Sequence, residues 1–259
     1  MTKDRLLPLE GIHNFRDYGG YATVDGGRVR SVVLWRSGQH HEATDADLAV
    51  LAEIDFANIV DLRGSSERNG FPCRRPEGFA AQVVFYDGET TNRAPHEEAE
   101  QGEPTPEQAH LRMVKLYRRM PYNPPMLAIF RDYFTALSEG KGTSLVHCFA
   151  GKDRTGVAVA LLHHALGVHP DDAMADYLLT NLANENSDVL ARQSARLFAK
   201  RPGNARGEAL KVLLGTDEAF LLAAFERIAD EHGSIDAYLE DMLGVDSVKR
   251  EALRNALLI

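Results

Sequence analysis

The sequence predicts an α/β protein: a central, mostly parallel sheet flanked by helices, continuing into a helical C-terminal part. Three observations carry this. Short β-branched and aromatic runs at 32–35, 57–62, 82–86 and 144–147 each give way to polar or glycine residues, as strands do at the edge of a sheet. Stretches of helical period separate the later runs. After Pro170 only helical patterns remain. Strands with interspersed helices, then helices alone, fit a layered sheet with helices on its faces.

In order, 11–20 reads GIHNFRDYGG, with Asn14, Arg16 and Asp17 packed around Phe15 and a Gly19-Gly20 turn. It is either a surface turn or a buried polar clasp. Two strand-like runs, 21–24 and 28–35, flank Asp25-Gly26-Gly27 and predict a hairpin, with 32–35 as a buried strand ending at Arg36-Ser37-Gly38. Thr44-Asp45-Ala46-Asp47 is a capping box with aspartate in place of glutamate and opens a helix to about Ile54. The strand at 57–62 closes on Asp61 and Arg63. Gly70, Pro72, Pro76 and Gly78 then break the chain before the strand at 82–86. Residues 90–106, with prolines and a glutamate cluster, read as an exposed loop. A helix at 106–119 places Leu111, Val114 and either Leu116 or Tyr117 on one face. Pro121, Pro124 and Pro125 break it. A second amphipathic helix, 126–137, carries Leu127, Phe130, Phe134 and Leu137 and stops at Gly140. The strand at 144–147 precedes a helix at 155–166 that is apolar nearly all round, hence central, and capped by Gly167. Helices follow at 171–180, 187–200, 217–232, 234–243 and 247–258.

Composition narrows the function. A chain of 259 residues, 44% hydrophobic and 26% charged, suits one domain over 1–259 with elaborations at about 88–106 and 183–259. No run approaches the roughly 20 apolar residues of a membrane span, and residues 1–10 have no signal-peptide pattern. A net charge of −9 argues against a nucleic-acid partner, though a local arginine cluster can still bind an anion. Two cysteines, Cys73 and Cys148, suggest a reduced, cytoplasmic setting. They lack metal spacing, and His40-His41, His163-His164 and His169 lack companion ligands, so neither metal nor cofactor is expected.

The chemistry concentrates in Val146-His147-Cys148-Phe149-Ala150-Gly151-Lys152-Asp153-Arg154-Thr155-Gly156. A cysteine stands between strand and helix, and an arginine follows after five residues. A loop of this kind aims backbone N–H groups and a helix N-terminus at an anion, and the same field favours the thiolate of Cys148. Phosphomonoester cleavage needs an in-line nucleophile, donors for three equatorial oxygens and a proton for the leaving oxygen. Cys148 fits the first need. Arg154, with its planar fork, and the amides of Phe149, Ala150, Gly151, Lys152 and Gly156 fit the second. Thr155 can donate its hydroxyl to the sulfur, and His147 can orient the loop. Cys73, in a Pro-rich loop, is expected to be incidental. Arg16, Arg36 and Arg63 either reach the pocket or pair with Asp17, Asp61 or Glu67.

This stretch resembles the signature loop of protein tyrosine and dual-specificity phosphatases, and the HCFAGKDRTG form is similar to the atypical bacterial, mycobacterial tyrosine phosphatase B-like branch. NFRDYGG at 14–20, WRSG at 35–38, DLRGSSE at 61–67 and EHGSIDAYLEDMLGV at 231–245 extend the resemblance over nearly the whole chain. It implies a tyrosine-phosphatase-like fold, no metal, and action on phosphotyrosine, with phosphoserine, phosphothreonine or phosphoinositides as further substrates. It also implies a helical lid around 187–206, and export without a signal as an alternative to a cytoplasmic location. The Trp-Pro-Asp acid loop of many relatives is absent, since Trp35 precedes Arg36. The resemblance points instead to Asp153 as general acid, with Asp61 and Asp87, both at strand ends, as alternatives. Lys152 either favours polyanionic inositol head groups, as the resemblance suggests, or neutralises Asp153. Arg63 and Asp61 stand as further candidates at the substrate.

Overall fold

The computed structural model describes residues 5–90, 104–185 and 208–259. The expected helix at 187–200, the loop at 201–206 and most of the 88–106 insert lie outside the described residues. Five strands form one sheet: β1 (Arg16–Asp17), β2 (Leu34–Ser37), β3 (Asn58–Asp61), β4 (Gln82–Phe85) and β5 (Ser144–His147). Their order is β1-β2-β5-β3-β4; β1 runs antiparallel to β2, and the other neighbours are parallel. The last strand in sequence is thus the middle strand in space, with β2 and β3 on either side. A crevice outside the C-terminal ends of parallel strands, where connections diverge, is where such sheets bind ligands.

Register decides which side chains meet. Ser37, His147 and Asp61 are Cα partners across β2, β5 and β3. Side chains alternate along each strand. Trp35, Ile59 and Leu145 pack with Phe15, Leu51 and Phe56 on one face, beneath α1 (Asp45–Ile54). Leu34, Val60, Val146 and Cys148 join the larger core on the other. That core is built on α4 (Pro124–Ser138) and α5 (Asp153–Leu166). His147 and Cys148, adjacent in sequence, are therefore sent to opposite sides of the sheet.

The helices start where capping chemistry places them. Thr44 accepts from the amide of Asp47 while the Asp47 carboxylate takes the Thr44 amide, closing the expected box. Asn123 caps α4, and Pro124 and Pro125 begin that helix rather than breaking the chain, because the first turn has no use for their missing N–H. Gly167 ends α5 in the left-handed conformation. The remaining helices are α2 (Ser65–Gly70), α3 (Pro106–Arg119), α6 (Pro170–Glu185), α7 (Glu208–Leu214), α8 (Glu218–His232), α9 (Ile235–Leu243) and α10 (Ser247–Leu257). Among the described residues no helix is long and apolar enough to cross a membrane.

Three expectations are corrected. The hairpin at 21–35 is shorter than expected: Thr23 N donates to Gly27 O, Val29 N to Tyr21 O and Gly20 N to Val29 O around the Ala22–Arg28 bridge, while the other edge of 28–30 pairs with Ile259 and Leu257 at the C-terminus. The buried strand begins at Leu34: Val32 has φ 57° and is 64% exposed. The buried face of α3 is Ala109, Met113 and Tyr117, with Leu111 in solvent, since packing against α7 and α8 selects that face.

Candidate active site

Cys148 leaves the end of β5 and is 2% exposed. The loop curls back through Gly151, whose φ of +65° is open to glycine at little cost. A Cβ there would lie 2.4 Å from the Ser37 carbonyl, so the close approach to β2 also requires glycine. Two loop carbonyls are tied outward. Phe149 O accepts from the Gln39 amide at 3.0 Å. Gly151 O accepts from Asn14 Nδ2 and Arg36 Nη2, each at 2.9 Å. In a trans peptide the N–H opposes the C=O. Drawing these carbonyls outward therefore turns the amides of Ala150 and Lys152 inward, towards the start of α5. An anion seated there meets inward donors and a helix N-terminus together.

The outward ties are held by a buried charge network. Asp176, on α6, accepts from Arg36 Nη1 at 2.6 Å and from Arg16 Nε at 3.4 Å, and all three side chains have 0% exposure. Burial alone would raise the Asp176 carboxyl; Arg16 and Arg36 hold it well below the carboxylate range. Arg16 also donates to Asn14 Oδ1. The 14–17 stretch is thus the polar clasp rather than the surface turn, and Arg16 and Arg36 are internal. Their partner is a helical aspartate 140 or more residues away.

Arg154 forms an end-on pair with Glu67 of α2: Nη1 to Oε2 at 2.5 Å and Nη2 to Oε1 at 2.7 Å. Nη1 also reaches Leu62 O at 3.3 Å and Thr90 Oγ1 at 3.2 Å. Burial opposes its charge, but Glu67 raises its pKa above the ordinary arginine value. Among the described residues the Nε–H and the second Nη2 hydrogen have no partner. These two lie on one edge of the guanidinium and match two oxygens of a phosphoryl group.

Asp153 opens α5. Its Oδ1 accepts from Tyr117 at 2.8 Å and lies 3.1 Å from Lys152 Nζ. Lys152 is only 4% exposed, and its ammonium donates to Leu213 O at 2.8 Å and Gly215 O at 3.0 Å. In this geometry Lys152 fastens the end of α7 to the loop. Thr155 is fully buried, and among the described residues its hydroxyl has no hydrogen-bond partner, so no bond joins it to the Cys148 sulfur.

Behind the loop, on the α1 side, Arg63 donates to both oxygens of Asp61 (Nε to Oδ1 at 2.9 Å, Nη2 to Oδ2 at 2.8 Å) and to Gln39 and the Phe71 carbonyl. Burial pushes Asp61 up, but His147 and Arg63 prevail and hold it at about 2. His147, fully buried, is pushed down to about 4 by desolvation and is neutral at pH 7. Its Nδ1 lies 3.4 Å from Cys148 O, its Nε2 lies 3.7 Å from Asp61, and its ring stacks on His40. Asp61, Cys73 and His147 each bring a ligand atom to within 4.8 Å of one another. Arg63 Nη2 sits among them, 3.1 Å from Cys73 Sγ, so a cation already stands where a metal would. Cys73, a free thiol, accepts from Arg63 and the His40 amide. Asp87 is exposed beyond β4.

Phe149, Ala150, Gly151 and Lys152 are thus gathered with Cys148, Asp153, Arg154 and Thr155 at one end of β5, whereas the Gly156 amide is not available to an anion, since it donates to Lys152 O at 2.8 Å within α5. Asp61 and Arg63 are set apart, paired with each other. Sequence reasoning missed Glu67, Thr90, Asp176 and Tyr177 as members of this neighbourhood. A signal existed for Asp176, a charge on a helix face otherwise buried through Ala173, Tyr177 and Thr180.

Comparison with known proteins gives the family of the chain. The model of a tyrosine phosphatase family matches residues 7–259. A protein of Cupriavidus necator named as a tyrosine-protein phosphatase is 34% identical, covering 93% of this chain and 85% of its own. The triple specificity protein phosphatase PtpB of Mycobacterium tuberculosis is 30% identical, covering 96% of this chain and 98% of its own. The crystal structure of TpbA from P. aeruginosa aligns distantly, with TM-score 0.34 and 16% identity over 79% of this chain and 96% of that one. Residues 7–259, signature loop included, are the part that matches, and the chain belongs to the tyrosine phosphatase family.

Proposed function

We propose that this protein hydrolyses phosphotyrosine in phosphorylated proteins through a cysteinyl-phosphate intermediate, with phosphoserine and phosphothreonine as further substrates. The observation that carries this reading is the loop: Cys148 at its entrance, Arg154 at its exit, and the carbonyls of Phe149 and Gly151 drawn outward. A phosphoryl group takes the inward amides and the open edge of Arg154. The Cys148 sulfur attacks phosphorus as the P–O bond to the tyrosine breaks. Asp153 gives its proton to the leaving oxygen, then takes one from the water that hydrolyses the thiophosphate. Asp153 is favoured over Asp61 because both Asp61 oxygens are engaged by Arg63 and its carboxyl is held at about 2. The free thiols of Cys73 and Cys148 fit a reduced, cytoplasmic setting.

A phosphoinositide reading rested on Lys152 facing the substrate. Its ammonium is spent on Leu213 O, Gly215 O and Asp153, which favours the phosphopeptide reading. Rates on a phosphotyrosine peptide, a phosphoserine peptide and phosphoinositide vesicles test the order; faster turnover on the vesicles reverses it. Cys148→Ser is expected to lower kcat/KM on the phosphotyrosine peptide by at least about 10³-fold. Acid-quenched wild-type enzyme should carry phosphate on Cys148. Native turnover by Cys148→Ser would end the thiolate mechanism.

A further inference from the structure

Two buried tyrosines outside the signature loop end on the carboxylate proposed as proton donor. Tyr177, on α6, donates to the hydroxyl of Tyr117 at 2.7 Å, and Tyr117, on α3, donates to Asp153 Oδ1 at 2.8 Å. Their exposures are 1% and 0%, whereas the Asp153 side chain retains 23%. The second donor near Asp153, Lys152 Nζ, lies 3.1 Å from the same oxygen. Among the described residues no hydrogen bond or ion pair reaches Oδ2. One carboxyl oxygen is therefore fixed from inside the protein and the other is left over.

We infer that Tyr117, supported by Tyr177, is a positioning residue that fixes which oxygen of Asp153 carries the transferable proton. This rests on the donor role proposed above for Asp153. A protonated carboxyl has one carbonyl-type oxygen, which accepts, and one hydroxyl, which donates. Tyr117 has its own proton committed to Oδ1, because its oxygen already accepts from Tyr177. That bond is compatible with Oδ1 as the acceptor and clashes with a proton on Oδ1. The acid proton is thereby assigned to Oδ2, and the carboxyl cannot turn over without breaking a buried bond. When Oδ2 gives up its proton to the leaving oxygen, the charge spreads to Oδ1, where Tyr117 and Lys152 already stand. Gly156 belongs to the same arrangement: a Cβ there would meet the Tyr177 ring at 2.8 Å, so the absence of a side chain lets Tyr177 lie against the start of α5.

The discriminating measurement is the dependence of kcat/KM on the leaving group, since a poor leaving group needs the proton and a good one does not. Aryl phosphates from phenyl to dinitrophenyl serve as the series, with wild type, Asp153→Asn, Tyr117→Phe, Tyr177→Phe and the Asp153→Asn/Tyr117→Phe double variant. Tyr117→Phe is expected to lose about tenfold or more on phenyl phosphate and less than about twofold on the dinitrophenyl ester. The double variant should be no worse than Asp153→Asn alone. If Asp153→Asn steepens the dependence and Tyr117→Phe does not, the positioning role is refuted and the acid assignment stands. If Asp153→Asn leaves the slope unchanged, the acid assignment falls and takes this inference with it. An equal loss across the series in Tyr117→Phe marks a packing role and also overturns the inference. Should Tyr117→Phe fail to fold, Tyr177→Phe decides: a loss confined to poor leaving groups supports the relay, and a uniform loss or none overturns it.

Discussion

At the scale of single residues, Cys148 and Arg154 were legible because their spacing is local: one strand end, five residues, one helix start. Their supports were not, because they come from far along the chain. Glu67 reaches Arg154 across 87 residues, and no pattern around DLRGSSE distinguishes a carboxylate that meets Arg154 from one that meets Arg63. The geometry gives that pair a testable role. Glu67 takes both Nη groups end-on and so aims the remaining Nε and Nη2 edge at the loop. Burial would raise the Glu67 carboxyl, but Arg154 lowers it, so it stays charged. Glu67→Gln keeps one acceptor in place of two, so Arg154 stays charged but loses the two-point hold that fixes its orientation. The pair is mostly buried, with 11% and 19% side-chain exposure, so the stability loss should be about 1–3 kcal/mol, at or below the usual range for a broken buried pair. The catalytic effect should be larger, roughly 10- to 100-fold in kcat/KM, with weakened competition by inorganic phosphate. Wild-type kcat/KM and phosphate inhibition in the variant would remove Glu67 from the site.

At the scale of elements, end signals read well when the capping chemistry was local and poorly when tertiary contacts chose between alternatives. The Thr44 box gave the start of α1 to the residue. Pro124 and Pro125 suit a first helical turn as well as a break, and the Asn123 cap decided it. The face of α3 is the row Ala109, Met113 and Tyr117, spaced four apart, and packing against α7 and α8 chose it over the row through Leu111. The loop between β5 and α5 is the element most constrained by its neighbours, and glycine substitution measures that. At Gly151 alanine meets both a positive φ and a carbonyl at 2.4 Å, so β2 and the loop must separate. Gly151→Ala is expected to lose at least about 100-fold in kcat/KM, as the amides leave the anion. Gly26 also has positive φ, +93°, but a Cβ there meets nothing within 4 Å. Gly26→Ala should cost only about 1 kcal/mol of backbone strain and leave kcat/KM within about twofold. Equal effects of the two substitutions on activity would mean that close packing against Ser37 is not what shapes the loop.

At the scale of the whole molecule, the fold class followed from strand-like runs giving way to helices, but the strand order could not. Placing β5 between β2 and β3 is a property of the crossovers. It puts His147 level with Asp61 and Ser37 on the α1 side, while Cys148 joins the opposite core. Among the described residues four histidines, His13, His40, His147 and His163, are buried with their pKa lowered by desolvation, and their linkage to folding has a definite sign. His147 is held at about 4 by desolvation, against the opposing pull of Asp61; His13 is held at about 4 by desolvation, against its bond to Asn184. Both folded values lie below the 6.5 of an unfolded histidine. Above pH 6.5 neither state binds these protons and stability is flat with respect to them. As pH falls from 6.5 towards 4 the unfolded chain takes up protons that the folded chain refuses, so stability is lost on the way down. His13 and His147 each contribute at most about 3.5 kcal/mol, from roughly 1.4 kcal/mol per pKa unit. Asp61, held at about 2, adds a separate loss that begins only below the ordinary aspartate value of 3.8. The net charge of −9 shrinks over the upper window, which relieves surface repulsion and acts the other way, but those charges are exposed and screened. The urea midpoint should therefore fall steadily between pH 6.5 and 4.5, before the buried carboxylates titrate. His13→Gln, which keeps a hydrogen-bonding group for Asn184 without a titrating one, should lower the slope while leaving the shares of His40, His147 and His163. A midpoint that stays level from pH 7 to 4.5 would show that these histidines are protonated in the folded protein. The neutral, stacked arrangement behind the Cys148 loop would then have to be abandoned.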